Sequence, residues 1–276
     1  MNILVSGSEG FIASHLIPKL KELGNTVVGM DIKNGKKYDV RDISNCQRMV
    51  KGKDIVIHLA ALTDVQQSID EPLEYELSDT TAVTNMLMVS IIEQWKNDKN
   101  VRFIFASSAA TDDPQSPYGV AKLCGEHWCD IFNKCYGLST ISLRFFNVYG
   151  KGADKGVIST WIKAIKNGER PIIYGGNQVR DFIYAKDVVD AIICAMDKQT
   201  HDVSGVFEVG TGTGTSMDGL FFAITKCMNI GLQPVLEPQR NGEIQESIAK
   251  DTEHTLDYLG FKAQYTLKQG LQEMLK

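Results

Sequence analysis

The sequence predicts an α/β fold, a doubly wound parallel sheet followed by a smaller α+β lobe toward the C-terminus. Three features carry that expectation. Short apolar runs rich in β-branched residues alternate with longer amphipathic segments through the first half of the chain. The glycine-punctuated turn Gly7-Ser8-Glu9-Gly10 joins the first strand-like run to the first helical one. After Gly150 the alternation becomes irregular, and Gly168, Pro171 and Gly175-Gly176 punctuate loops. Short strands separated by helix-length segments argue a parallel sheet covered on both faces.

In chain order, residues 2–6 read as a buried strand, 11–23 as a helix and 26–30 as a second strand ending at Asp31. Strand, glycine turn, helix, strand and acid is the order of a dinucleotide site. Gly7 and Gly10 let the backbone turn sharply and approach a pyrophosphate. Phe11 and Ile12 open the helix whose unpaired N–H groups would meet that charge. Ala13 supplies a small residue where strand and helix pack closely. Asp31 is placed to accept from an adenosine ribose, and its charge would repel a 2′-phosphate. The expected cofactor is therefore NAD on a Rossmann-type sheet.

Strands at 54–59, 101–107 and 138–143, with helices at 43–51, 73–97 and 117–136, extend the pattern. The runs Ile55-Val56-Ile57-His58-Leu59 and Val101-Arg102-Phe103-Ile104-Phe105 have the β-branched and aromatic content of buried strands. His58 is expected to be a packed, hydrogen-bonded histidine. Beyond Gly150, helices are expected at 157–167, 187–197, 217–228 and 253–258, with strands at 206–209 and 244–248. Residues 211–216 end in a cap for the third of those helices. The expected division is an NAD-binding domain at 1–148, completed by 182–210, and a substrate lobe made of 149–181 and 211–276.

The 276 residues suffice for one large domain or two modest ones, and 43% apolar residues are ample for a core. A net charge of -5 argues against nucleic acid as the main partner. The first apolar stretch is short, is cut by Gly7 and has no basic leader, so no signal peptide is expected. No run approaches the roughly 18 apolar residues of a membrane span. Cys46, Cys124, Cys129, Cys135, Cys194 and Cys227 show no CxxC pair and no close His/Cys cluster. Reduced thiols in a cytoplasmic protein without a metal site are the expectation.

Chemistry concentrates at Ser107-Ser108-Ala109, at a strand end, and at Tyr118-Gly119-Val120-Ala121-Lys122, at a helix start. Tyrosine and lysine four apart share one helical face. A nearby ammonium is expected to favour the phenolate of Tyr118, leaving Ser108 to hold a substrate oxygen.

At this point the chain resembles the extended short-chain dehydrogenase/reductase family, in its nucleotide-sugar epimerase/dehydratase branch. The resemblance runs through nearly the whole chain in the family's order. Its pieces are Gly7–Ala13, Asp31, Tyr38-Asp39-Val40-Arg41-Asp42, His58-Leu59-Ala60-Ala61, Ser107-Ser108, Tyr118 with Lys122, Arg144-Phe145-Phe146-Asn147-Val148-Tyr149-Gly150, Arg180-Asp181-Phe182-Ile183-Tyr184 and Arg240-Asn241-Gly242-Glu243. It implies that Asp39 and Val40 border the adenine, and that Leu59, Ala60 and Ala61 pass under the cofactor phosphates and ribose. It places Asn147, Arg180 and Arg240 around the diphosphate of a nucleotide sugar, where the arginine fork suits phosphate oxygens. Tyr118, Lys122 and Ser108 become the catalytic group, Tyr118 and Lys122 also touching the cofactor and Ser108 the substrate. Arg144 is expected in a structural ion pair.

Three departures shape the expected reaction. Ser108 and Tyr118 are only ten positions apart, where relatives carry a longer segment with a tyrosine–glycine pair, so the sugar end of the cleft should be more open. Ala109-Ala110 stands where sugar dehydratases resemble Thr-Asp-Glu and where decarboxylating relatives carry a glutamate. Asp112 or Asp113 could fold back, but Asp-Asp-Pro is more simply a turn. Asp79 replaces the asparagine usual in the family, adding a charge that must be paired or solvated. The resemblance therefore implies NAD-dependent epimerisation of a nucleotide-linked sugar, at C4. The alternatives are a nucleotide-sugar reductase or dehydrogenase, and a non-catalytic NAD-binding protein. A homodimer through helices 73–97 and 117–136 is the family's arrangement, although sheet packing alone would also give those helices apolar stripes.

Overall fold

The computed structural model describes residues 1–197, 203–239 and 244–276. Its first half alternates β1 (Asn2–Ser6), α1 (Phe11–Glu22), β2 (Thr26–Met30), α2 (Ile43–Val50), β3 (Ile55–His58), α3 (Val65–Asp70), α4 (Pro72–Tyr75), α5 (Ala82–Asn97), β4 (Arg102–Ser108), α6 (Pro117–Tyr136) and β5 (Ser139–Phe145). There follow β6 (Asn147–Tyr149), α7 (Val157–Lys166), β7 (Ile172–Tyr174), β8 (Val179–Tyr184), α8 (Ala185–Met196) and β9 (Gly205–Val209). The last described elements are β10 (Gly214–Ser216), α9 (Met217–Met228), β11 (Val235–Glu237), β12 (Glu246–Ser247), α10 (Thr252–Leu259) and α11 (Leu267–Leu275).

Six parallel strands form the main sheet in the order β2-β1-β3-β4-β5-β9. Side chains alternate between its faces. Ile3 and Val5 join one core with Leu16 and Leu20 of α1 and Val188 and Ile192 of α8. Leu4 joins the other, with Val50 of α2, Met86 and Leu87 of α5 and Phe132 of α6. A strand covered on both faces needs apolar residues at successive positions, which is why β1 reads as an uninterrupted run. The strand order reverses between β1 and β3. Crevices for ligands open outside the carboxyl ends of strands at such a point.

A second sheet is built on β8. Its C-terminal half pairs in parallel with β6, and its N-terminal half pairs with β10 and β12. A third core, with Trp161 and Ile162 of α7, Leu220 and Ile224 of α9 and Leu271 of α11, packs around this part. β7 and β11 form a separate parallel pair. The domain boundary expected between 181 and 182 falls inside β8. The strand expected at 244–248 is confined to Glu246–Ser247.

The helix expected over 73–97 is broken into α4, a π-helical segment at Glu76–Thr81 and α5. A π turn inserts an extra residue and changes which side chains face inward. Here it directs Asp79 inward to zero exposure. Among the described residues no helix is long and apolar enough to cross a membrane.

Candidate active site

The turn after β1 is fixed by backbone contact. Gly7 has a φ of 69°, and its N–H donates to the Met30 carbonyl at 2.8 Å. A Cβ on Gly7 would lie 2.7 Å from the Ala60 nitrogen and 2.9 Å from the Leu59 carbonyl carbon. Conformation and space therefore both demand glycine. The Gly10 N–H donates to the Gly7 carbonyl at 3.0 Å, and α1 starts at Phe11 with its first-turn N–H groups at the crevice. Asp31, at the end of β2, accepts from the Glu9 N–H and the Lys33 N–H, each at 2.9 Å. Two oxygens with about four acceptor sites leave room for a ribose hydroxyl.

A cavity of about 900 Å³ opens here, and its wall includes Gly7, Gly10, Phe11, Ile12, Asp31, Asp39, Val40, Leu59, Ala60 and Ala61. Ser108, Tyr118 and Lys122 line the same cavity. Residues far apart in sequence thus meet at the carboxyl ends of β1, β3 and β4. The glycine cradle, the anchored acid and the small residues after β3 fit an extended dinucleotide.

Asp39 is paired within the chain. Arg41 donates to its two oxygens through Nε at 3.0 and 3.1 Å and through Nη2 at 2.8 Å. That hydrogen bonding holds the Asp39 carboxyl below its ordinary range, although burial opposes it. The structure makes Asp39 first the anchor of Arg41 at the cavity rim.

α6 positions the reactive pair. Ser116 caps it by accepting from the Gly119 N–H at 3.2 Å, and Pro117 begins it with φ already helical. Gly125 lets α6 press onto β4, since a Cβ there would lie 2.5 Å from the Phe105 ring. Tyr118 is 9% exposed, and burial pushes its phenol up to about 12, the hydrogen bond with Ser108 opposing. This corrects the expectation that Lys122 lowers it. The Lys122 ammonium instead donates to the Ala106 carbonyl at 3.1 Å and lies 3.9 Å from Asp79 Oδ2 and 5.9 Å from the Tyr118 ring centre. Burial also pulls the Lys122 amine below its ordinary range, against the pull of Asp79.

Arg144 forms the expected ion pair, with Nε and Nη2 at 2.8 and 2.7 Å from the two oxygens of Glu126 on α6. Ser107 and Thr111 hydroxyls also reach Glu126, at 2.5 and 3.3 Å. This knot fixes α6 against the ends of β4 and β5. Asp112 is 63% exposed, with Arg144 and Lys250 each at 3.9 Å, and neither it nor Asp113 lines the cavity. His58 is packed as expected, its Nδ1 2.7 Å from Ser6 Oγ, and burial lowers its imidazole to about 3.

Of the residues expected at the substrate diphosphate, Asn147 and Arg180 are not part of this cavity wall. Asn147 donates its amide to the Asp181 carbonyl at 2.9 Å. Arg180 donates to the Val179 and Ile244 carbonyls, at 2.9 and 2.7 Å. Arg240 lies outside the described residues. The wall also includes Gly152 to Gly156, which sequence reasoning passed over. The two glycines that bound this loop, with φ of 89° and 92°, were its only signal.

The sequence model of the NAD-dependent epimerase/dehydratase family matches residues 3–210. The UDP-glucose 4-epimerase of Lactobacillus helveticus is 28% identical, over 96% of this chain and 93% of its own length. Among solved structures, the UDP-glucose 4-epimerase of Thermotoga maritima, determined with UDP-glucose, superposes with a TM-score of 0.88 at 30% identity, covering 100% of this chain and 97% of that one. MoeE5 in complex with UDP-glucose and NAD superposes with a TM-score of 0.90 at 30% identity, covering 100% and 97%.

Proposed function

The chain belongs to the NAD-dependent epimerase/dehydratase family, and from that premise we propose that it epimerises a UDP-linked hexose at C4. NAD-dependent C4 epimerisation of a nucleotide-linked sugar is its activity. The choice of UDP is supported by the relatives and their bound sugar nucleotides. The observation that carries the reading is the meeting of Ser108, Tyr118 and Lys122 with the Gly7 turn in one cavity.

The turn at Gly7 and Gly10 with the start of α1 would hold the NAD pyrophosphate. Asp31 would hold its adenosine ribose, and Leu59, Ala60 and Ala61 would face its phosphates. Bound there, NAD would supply the acceptor and donor for a hydride at the sugar C4. In its phenolate form Tyr118 would take the proton of the sugar hydroxyl, and as the phenol it would give one back when the opposite epimer forms. Ser108 would orient the same oxygen, and its hydrogen bond to Tyr118 favours the phenolate against the effect of burial. Asn147, Arg180 and Arg240 remain our candidates for the diphosphate, together with the lobe of 149–181 and 211–276.

A homodimer through α5 and α6 is part of this reading. It is supported by exposed Trp95, Trp128, Ile131 and Tyr136, with the Trp95 and Tyr136 rings 6.1 Å apart. Sedimentation should show a dimer that Trp128→Glu dissociates; a wild-type monomer would end that part. The reaction is tested by NMR of UDP-glucose and UDP-N-acetylglucosamine with substoichiometric NAD. The expected product is the C4 epimer without net NADH, whereas stoichiometric NADH would favour the dehydrogenase.

A further inference from the structure

We propose that Asp79 is a positioning residue for this reaction, its buried carboxylate serving as the counter-ion that keeps Lys122 charged and aimed at the Tyr118 end of the cavity. The inference rests on the roles given to Tyr118 and Lys122 above, and the mechanism so far leaves Asp79 unused.

Asp79 sits in the π segment between α4 and α5 with zero exposure. Its Oδ1 accepts from the Leu62 N–H at 2.8 Å, while Oδ2 has no hydrogen-bond partner among the described residues. Oδ2 faces the Lys122 ammonium at 3.9 Å. Lys122 is 3% exposed and donates one hydrogen bond, to the Ala106 carbonyl. An ammonium has three donors, so two remain for the carboxylate and for ligand oxygens. Each charge would be costly to bury alone, and each is the compensation for the other. The flexible lysine stem can close the short gap to Oδ2.

The other groups around the pair supply no competing charge. Tyr118 faces it from α6, and the buried Tyr75 stands edge-on to Tyr118 with ring centres 6.4 Å apart. Burial raises both phenols, so neither adds a charge beside the pair in the resting site. His58, at the end of β3, is held neutral, with Lys122 adding to the effect of its burial. Asp64 and Glu71 act on Tyr75. Burial raises Asp79 and lowers Lys122, and in each case the partner's charge opposes it. The π segment thereby acquires a use, since it directs Asp79 into this site.

Asp79→Asn keeps the side-chain shape and an acceptor for Leu62, but removes the counter-charge. The test uses the full chain labelled with ¹³C at the lysine ε-carbons, without substrate, with Lys122 identified by the signal lost in Lys122→Met. In Asp79→Asn the Lys122 signal should titrate about 1–3 pH units lower than in the wild type, the range expected when an opposite charge this close is removed. The alkaline limb of kcat/KM should move in the same direction. An unchanged lysine titration in the folded variant overturns the proposal. Should Asp79→Asn not fold, Lys122→Met reads the coupling from the other side. One ¹³C-labelled aspartate carboxyl should then titrate higher by a similar amount, and no such change overturns the proposal. A lysine shift in a protein that epimerises no nucleotide sugar supports the charge pair and removes the substrate reading. Epimerisation without the shift does the reverse.

Discussion

Tyr118 packs with its ring while its hydroxyl meets Ser108, so Tyr118→Phe removes the proposed proton carrier and little packing. Turnover should fall by about 100-fold or more, while the folded variant retains NAD. Near-normal rates from purified protein would move proton transfer to another group. His58 allows a test of stability against pH. Its imidazole titrates at 6.5 when free and at about 3 in the fold. Above pH 6.5 it is neutral in both states. As pH falls from 6.5 toward 3, the unfolded chain takes up a proton that the folded chain refuses. Stability should drop through that window by up to about 1.4 kcal/mol per unit, and His58→Asn should flatten the slope in urea denaturation at pH 7 and pH 5. The spacing of Tyr118 and Lys122 was legible because four residues on one helix share a face. The direction of the Lys122 ammonium was not, because Asp79 reaches it from another element. Arg41 similarly claims Asp39 through a contact that residue type alone could not reveal.

At the scale of elements, α6 depends on the knot of Glu126, Arg144, Ser107 and Thr111. Arg144→Ala would strand a carboxylate whose side chain is 3% exposed, and should cost about 3–5 kcal/mol. Denaturant titration measures that loss, and Glu126→Gln with Arg144→Met together should cost less. A loss under about 1 kcal/mol from Arg144→Ala would mean that solvent replaces the guanidinium. The main-sheet strands and α1, α6 and α9 were legible from apolar runs, caps and glycine stops. β8 was not, because its polar half, Val179-Arg180-Asp181, faces a small sheet built from strands distant in sequence. The π segment was hidden for another reason. One extra residue in a long amphipathic helix blurs its periodicity without ending it.

At the scale of the whole molecule, the short connection from β4 to α6 bears on the expected reaction type. Ala109 and Ala110 cannot protonate a departing C6 oxygen, and Asp112 is turned toward Arg144 and Lys250. No UDP-hexose should therefore lose water. Mass spectrometry after long incubation should show the substrate mass unchanged, and an enzyme-dependent 4-keto-6-deoxy product would overturn the assignment. The two sheets also lack slack between them. Only Phe146 separates β5 from β6, and β8, which pairs with β6, runs directly into α8 on the main sheet. Two such short couplings, through the paired strands β6 and β8, should keep the cleft from opening like a jaw. The cofactor's escape route is then the rim rather than a swing of one lobe, and its residence time becomes a property of loops. Amide exchange should show β6 and β8 protected to the same degree as β5, opening only with the main sheet. Faster exchange confined to β6 and β8 would reveal a hinge. Without one, a dinucleotide would outlast many catalytic cycles, and the enzyme would keep its own redox pool, isolated from the one in the surrounding solution.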